Sequence, residues 1–153
     1  AADDILPSLG KRLDEAGVVL RGDSPTQAIL SASGISVAAA TELDWDEEYL
    51  DLVLSIKVVA DTCEAINHIN NHGSGHTEAI VTNNADNAKR FQTEVDASTI
   101  FWNASTRFTD GGQFGMGAEI GISTDKIGAR GPMGLEELTS YKWLGVADGL
   151  IRE

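Results

Sequence analysis

The strongest constraint on the fold is an alternation, in the middle of the chain, of apolar stretches with segments that carry helical signals. Three stretches are rich in the β-branched and aromatic residues that favour strands, and the two segments between them are helical in character. In chain order the five are LVLSIKVV (52–59), DTCEAINHINNH (61–72), TEAIVTN (77–83), ADNAKRFQTEV (85–95) and STIFWNA (98–104). Strand, helix, strand, helix, strand at this spacing predicts crossover connections and a mainly parallel sheet, which is an α/β fold.

The regions on either side of this core are less regular. Apolar spacing over 5–13 predicts a short amphipathic helix, and GVVLRGD (17–23) is expected as a strand that runs into a turn. Residues 24–40 are rich in Ser and Ala, contain Gly34 and show no sustained period, so they are expected to be irregular. A Gly-dense loop, a short helix and a last strand are expected at 103–117, 132–138 and 139–146.

Charge narrows the classes of partner. The chain has 24 acidic and 11 basic residues among 153, a net charge of −13. So acidic a surface repels nucleic-acid backbones and anionic lipids, and the sequence therefore predicts neither a nucleic-acid nor a membrane partner. The only cysteine cannot form a disulfide within the chain, which is consistent with the reducing cytoplasm.

Ser24 raises one alternative function, that of a serine hydrolase. It follows a predicted strand in a Gly-Asp-Ser turn, where one class of hydrolases places its nucleophile. That chemistry needs a histidine oriented by a carboxylate, and the Asp-x-x-His spacing usual in that class does not occur here. Hydrogen bonds from Asp23 and Ser24 to nearby backbone groups are the better explanation of this turn.

The three histidines are candidate metal ligands, and the cysteine is a candidate nucleophile. His68, His72 and His76 recur at intervals of four, but glycines break the helix before His76, so no metal site is predicted. Partial positive charge at a helix C-terminus explains two of them. Cys63 lies beside Asp61 and another acid, which disfavours a thiolate, and it is expected to pack rather than to act as a nucleophile.

Several unusual sequence words carry a resemblance to a known family. WNASTRF (102–108), GAEIGIST (117–124), ARGP (129–132) and LTSYKW (138–143) follow one another in the second half of the chain, and EEYLDLVLSIKVV and HGSGHTEAIVT precede them. In this order they resemble the C-terminal region of the gamma-glutamyl phosphate reductases, within the aldehyde dehydrogenase superfamily.

The resemblance implies a reductase that converts gamma-glutamyl 5-phosphate to glutamate 5-semialdehyde with NADPH, in proline biosynthesis. In that family a cysteine thiolate displaces phosphate, and hydride then reduces the thioester. The family's nucleophile lies N-terminal to the matched region and does not align with Cys63. The chain is therefore expected to supply no catalytic residue and to be inactive by itself.

The resemblance also implies binding residues. Glu48 is similar to the superfamily glutamate that binds the nicotinamide ribose, and Leu50 stands where a phenylalanine often contacts the nicotinamide. Ser105, Thr106 and Arg107 resemble the loop that anchors the far end of the substrate. The loop that lines the substrate tunnel has its counterpart in Phe114 and Gly115.

The resemblance further implies a division of the chain. Residues 1–138 are expected to form part of a catalytic domain, and 139–153 a terminal strand and tail that contact a neighbouring subunit of a homo-oligomer. A non-catalytic binding or assembly module on the same scaffold is the alternative, because the chain lacks the family's nucleophile.

Overall fold

The computed structural model describes residues 1–152, which divide into two compact units. The first is Ala1–Gly73 and the second begins at Ser74. Among the described residues, no helix is both long and apolar enough to cross a membrane.

The first unit is a three-stranded parallel sheet with helices. Its elements are α1 (Ala2–Glu15), β1 (Val19–Gly22), α2 (Ser24–Ala32), β2 (Ala38–Ala39), a 3₁₀ turn (Glu42–Trp45), β3 (Val53–Ile56) and α3 (Thr62–His72). The strand order is β2-β1-β3, and β1 pairs in parallel with both neighbours. The predicted helix over 5–13 and the strand after Gly17 are confirmed.

The core of this unit lies between α1, α2 and β1. Its buried apolar residues are Leu6, Leu20, Leu30 and Ile35. Gly10 of α1 is buried as well, and a Cβ at this position would lie only 2.5 Å from Cδ2 of Leu30. The two helices therefore pack so closely that α1 has room for no side chain at Gly10.

The prediction that 24–40 is irregular was wrong. A nine-residue helix, α2, occupies Ser24–Ala32, and Asp23 caps it by accepting a hydrogen bond from the Thr26 amide at 3.0 Å. Pro25 lies in the first turn, where its missing N–H removes no helical hydrogen bond. Leu30 is completely buried, so packing stabilises a helix whose apolar period is too short to stand out in the sequence.

The second unit contains one parallel and one antiparallel strand pair. Its elements are β4 (Thr77–Ile80), α4 (Ala85–Glu94), β5 (Thr99–Trp102), β6 (Gly121–Ser123), β7 (Gly131–Met133) and 3₁₀ turns at Thr106–Phe108 and Glu136–Leu138. β4 and β5 run in parallel on either side of the α4 crossover. β6 and β7 form an antiparallel pair. The expected short helix at 132–138 is reduced to one 3₁₀ turn.

The α/β class is confirmed, but the sheet is divided differently from the prediction. The three predicted strands were expected to share one sheet, whereas β3 pairs with β1 and β4 pairs with β5. The strand at 52–59 was also expected to be fully buried, yet Leu54 remains 40% exposed. An apolar run indicates a strand, but it does not identify the neighbour with which that strand pairs.

The segment after the last 3₁₀ turn is extended and exposed. Between residues 139 and 152 no strand forms with any of the three sheets. Tyr141 and Trp143 contact each other edge to face and are 84% and 90% exposed. The expected pairing of this segment with a second subunit stays a prediction. The division of the chain at residue 138 stays a prediction as well.

Candidate functional site

The turn that carries Glu48 is built on a buried carboxylate. Asp44 is 5% exposed, and its side chain accepts hydrogen bonds from the Thr41 amide at 2.7 Å and the Tyr49 hydroxyl at 2.6 Å. Arg21 adds an ion pair to the same carboxylate at 2.5 Å. Ser55 of β3 contacts the Tyr49 hydroxyl at 2.7 Å. The network fixes both ends of the turn to the first sheet.

The electrostatics of this network follow from its hydrogen bonds. The bond from Tyr49, with those from Thr41, holds the pKa of Asp44 well below its usual range. Burial, followed by the hydrogen bond to Asp44, raises the pKa of Tyr49. Asp44 is therefore ionised and Tyr49 is neutral, and both serve to hold the turn.

Glu48 and Leu50 lie together at the outer side of this turn. The Glu48 carboxylate is exposed and has no hydrogen-bond or ion-pair partner among residues 1–152. Leu50 is 88% exposed and has φ of 51°, in the left-handed region that branched residues rarely adopt. The network thus presents a free carboxylate to solvent, which leaves it available to a ligand.

In the second unit, the candidate substrate loop begins at Asn103, where β5 ends. Asn103 has φ of 55°. Its side-chain oxygen accepts from the Thr82 amide at 2.9 Å, and its side-chain nitrogen donates to the Thr82 carbonyl at 3.0 Å. These two bonds fasten the start of the loop to the segment that follows β4. The resemblance also implies that the substrate loop begins at Asn103, and Asn is among the side chains that adopt this backbone conformation most often.

Ser105, Thr106 and Arg107 form a single tight turn. The Ser105 hydroxyl accepts a hydrogen bond from the Arg107 amide at 3.2 Å and so caps the 3₁₀ turn. All three side chains are exposed. Among the described residues, no carboxylate approaches the Arg107 guanidinium within ion-pair distance.

Two of these three residues open onto one cavity. It has a volume of about 430 Å³ and is lined by Ser105, Arg107, Phe108, Asp110 and Gln113. The volume falls within the usual range of small-molecule sites. Thr106, predicted with its neighbours, does not line this cavity.

Phe114 and Gly115 lie further along the same loop. Phe114 is 45% exposed, and its ring packs 6.5 Å from that of Phe101 of β5. Gly115 has φ of 78° and borders a different cavity, of about 390 Å³, with Met116 and the turn at 134–137. The two predicted tunnel residues therefore follow the Arg107 loop in sequence, but neither of them lines the Arg107 cavity.

His76 is connected to the loop through the hydroxyl groups of Thr77 and Thr109. The Thr77 hydroxyl donates to the Thr109 hydroxyl at 2.9 Å, and His76 Nδ1 lies 2.6 Å from the Thr77 oxygen. Because the Thr77 proton is already used, the bond to His76 requires a proton on Nδ1. His76 was considered as a third metal ligand and not predicted as one, and in the structure it instead contacts Thr77, which in turn bonds to Thr109.

Of the other candidates, His68 and His72 lie together, with ring centroids 4.7 Å apart, whereas Ser24 lies apart from both. Ser24 is the first residue of α2, and its exposed hydroxyl makes no hydrogen bond within residues 1–152. His72 pairs with Asp46 at 2.8 Å. Burial and then the nearby Lys57 lower the pKa of His68.

Cys63 is partly buried in the first turn of α3, where its sulphur is 3.9 Å from the Asn67 amide nitrogen. Within residues 1–152, no set of three or more ligating side chains could hold a metal ion.

Comparison with known proteins identifies the family. The aldehyde dehydrogenase family model matches residues 37–144, more than two thirds of the chain. The chain belongs to the aldehyde dehydrogenase family. Among curated members, the gamma-glutamyl phosphate reductases of Escherichia coli O1:K1 and Escherichia coli K12 are each 52% identical to it over 151 residues. The alignment covers 99% of this chain and 36% of each relative.

Solved structures of family members agree with this assignment. The gamma-glutamyl phosphate reductase of Thermotoga maritima is 51% identical and superposes with a TM-score of 0.94 over 99% of this chain and 36% of its own. That of Saccharomyces cerevisiae is 35% identical, with a TM-score of 0.54 over 72% of this chain and 28% of its own. The chain therefore has the aldehyde dehydrogenase fold over about a third of the length of these relatives.

Proposed function

We propose that this chain is the C-terminal part of an oxidoreductase that converts gamma-glutamyl 5-phosphate to glutamate 5-semialdehyde in proline biosynthesis, in the cytoplasm. The observation that carries the proposal is 52% identity to gamma-glutamyl phosphate reductases across 99% of the chain. The aligned region spans 151 residues and therefore includes both units and the loop that carries Arg107.

Arg107 is proposed to bind the carboxylate at the far end of the substrate. Its guanidinium lines a cavity and has no ion-pair partner among the described residues, although the chain has an excess of 13 negative charges. A planar guanidinium offers a carboxylate two parallel hydrogen bonds. Ser105 contributes to the same cavity, Thr106 adds a hydroxyl beside it, and Phe114 with Gly115 shapes the approach along the loop.

Glu48 is proposed to hold the ribose of a nicotinamide cofactor, NADPH. A carboxylate with no other partner suits a pair of ribose hydroxyls, and the Asp44 network fixes the turn that presents it. The cofactor supplies hydride when it is bound. Leu50, two residues further on, offers an exposed apolar side chain that would contact the same ligand.

The proposal is tested in the full-length reductase by replacing Arg107. Losing a charge-assisted pair to the substrate should cost about 2–4 kcal/mol in kcat/KM. Arg107→Lys should be nearly as harmful as Arg107→Ala, because an ammonium group cannot form two parallel bonds. Lys126→Ala is the matched control, since that cation pairs with Asp96 instead. Kinetics like those of the wild type in both Arg107 variants would remove this residue from the substrate site.

The 153-residue chain alone is expected to be inactive. Its one thiol, Cys63, is in a helix and partly buried, and its sulphur lies 3.9 Å from the side-chain nitrogen of Asn67. The assay is phosphate-dependent oxidation of glutamate semialdehyde with NADP. Turnover that persists in the chain and disappears in Cys63→Ser would place the nucleophile here.

The segment 139–146 is proposed to add as a strand to a second subunit of a homo-oligomer. It pairs with no strand of its own chain within residues 1–152, and it exposes Trp143, Leu144 and Val146 by 90%, 79% and 98%. An unpaired apolar strand is removed from solvent when it joins a partner's sheet. Truncation of the full-length reductase after Leu138 should yield monomers in sedimentation, and an unchanged oligomer contradicts the assignment.

A further inference from the structure

The cavity at Arg107 carries two opposite charges that do not pair with each other. Among residues 1–152, Arg107 and Asp110 are the only charged residues in its lining. Their charged groups are not within 4.0 Å of each other, and neither forms an ion pair with any residue from 1 to 152. Both charged groups line one cavity and neither is neutralised within the described chain, so both are available to a ligand that carries the two opposite charges.

The Asp110 side chain has one oxygen in use and one free. Oδ1 accepts a hydrogen bond from the Gln113 amide at 2.9 Å. Within the described chain, Oδ2 makes no hydrogen bond. Because Gln113 also lines the cavity, the bond to its amide holds the carboxylate at the cavity wall.

Two hydrogen bonds hold the chain around Asp110. Its carbonyl accepts from the Phe114 amide at 3.0 Å, and the preceding Thr109 receives the hydroxyl bond that begins at His76. A Cβ at position 112 would lie 2.9 Å from Asp110 Oδ1, so Gly112 is needed for this orientation of the carboxylate. The carboxylate is thus held in place before any ligand arrives, which lowers the cost of binding.

We propose that Asp110 is a specificity-determining residue that accepts the α-ammonium group of an amino-acid substrate while Arg107 binds its α-carboxylate. This inference rests on the proposed function, since a gamma-glutamyl group has both charges on one carbon. An ammonium donates to carboxylate oxygens in a strong charge-assisted bond, and Oδ2 is free to accept it. The site then selects α-amino acids over simple dicarboxylates.

The test compares two probes of the same carbon skeleton on the 153-residue chain. L-Glutamate has the α-ammonium group and glutarate lacks it, so their difference isolates the contact to Asp110. Dissociation constants are measured by NMR titration of backbone amides. The chain is expected to bind glutamate about tenfold more tightly than glutarate, which is the range of one charged hydrogen bond.

Variants then separate the roles of the two residues. Asp110→Asn keeps the acceptor for the Gln113 amide and should remove the preference for glutamate, while Asp110→Glu, which keeps the charge, retains part of it. Asp125→Asn, at an exposed aspartate of the same unit, is the control and should change nothing. Amide spectra of the variants establish that the loop remains folded.

The outcomes distinguish this inference from the proposed function. Equal binding of the two probes by the wild type, or a preference that survives in Asp110→Asn, overturns the role of Asp110 and leaves that of Arg107 intact. Loss of both probes in Arg107→Ala supports the anchor on which the inference depends. Binding of neither probe by the wild type overturns both assignments.

Discussion

Asp23 is expected to contribute more to the stability of the first unit than any other polar residue of its turn. One carboxylate oxygen accepts from the Thr26 amide at 3.0 Å and caps α2, and the other accepts from the Val58 amide at 3.1 Å, beyond β3. Loss of a cap costs about 1 kcal/mol. A partly buried amide left without an acceptor costs about 1 kcal/mol more. Asp23→Ala should therefore lower the stability of this unit by about 2 kcal/mol.

A second substitution at Asp23 separates the contributions of its two hydrogen bonds, and a substitution at Ser24 serves as the control. Asp23→Asn keeps an oxygen for the Thr26 amide but offers Val58 a second donor in place of an acceptor, so it should cost about half as much. Ser24→Ala changes an exposed hydroxyl without a partner in the described chain and should stay within about 0.5 kcal/mol of the wild type.

Native-state amide hydrogen exchange in α2 and β1 measures these differences in the first unit itself. Exchange should accelerate about 30-fold in Asp23→Ala, the factor that corresponds to 2 kcal/mol. A change below about twofold would refute the dual role of the carboxylate. If Asp23→Asn matched Asp23→Ala, the cap would contribute nothing.

Three further expectations concern packing and pH. Gly10→Ala should lower the free energy of unfolding in urea by about 1 kcal/mol. Overpacking against Leu30 costs about 2 kcal/mol, whereas the gain in helix propensity is only about 1 kcal/mol. In a Leu30→Ala background the same substitution should be neutral or stabilising. Burial raises the pKa of Glu78, so the folded state loses stability as the pH rises through that raised pKa and the carboxylate ionises. Glu78→Gln removes this ionisation and should therefore raise Tm at pH 7 but not at pH 4. The lowered pKa of Asp44 stabilises the folded state at neutral pH, and this stability is lost as the pH falls below the ordinary pKa of 3.8. Tyr49→Phe removes the hydrogen bond that lowers this pKa most, so stability should fall less between pH 5 and 2 in the variant.

Local signals in the sequence predicted local structure well. The apolar period of α1 and the capping residue Asp61 of α3 are short-range features, and both helices are present. The helix α2 was missed although Asp23 and Pro25 form a recognisable helix start, because the Gly and Ser content around them favoured a loop. Its stability comes from Leu30, whose burial depends on a helix elsewhere in the chain.

Tertiary relations were beyond the reach of the sequence pattern. The pairing of β3 with β1 joins segments more than 30 residues apart, and nothing in either strand specifies it. At the candidate site, the resemblance singled out Arg107, but the cavity also depends on Asp110, whose free oxygen is visible only in the folded loop. Side-chain hydrogen bonds of this kind follow from backbone geometry rather than from residue type.

The amide of Asn103 has a consequence for the chemical ageing of the protein. It stands in for a peptide group, since it donates to the Thr82 carbonyl and accepts from the Thr82 amide. Asparagine is among the thermolabile side chains. Deamidation would turn its nitrogen donor into a carboxylate oxygen that faces the Thr82 carbonyl, so that attraction becomes repulsion. Hydrolysis of this one amide would then weaken the attachment of the loop that carries Arg107.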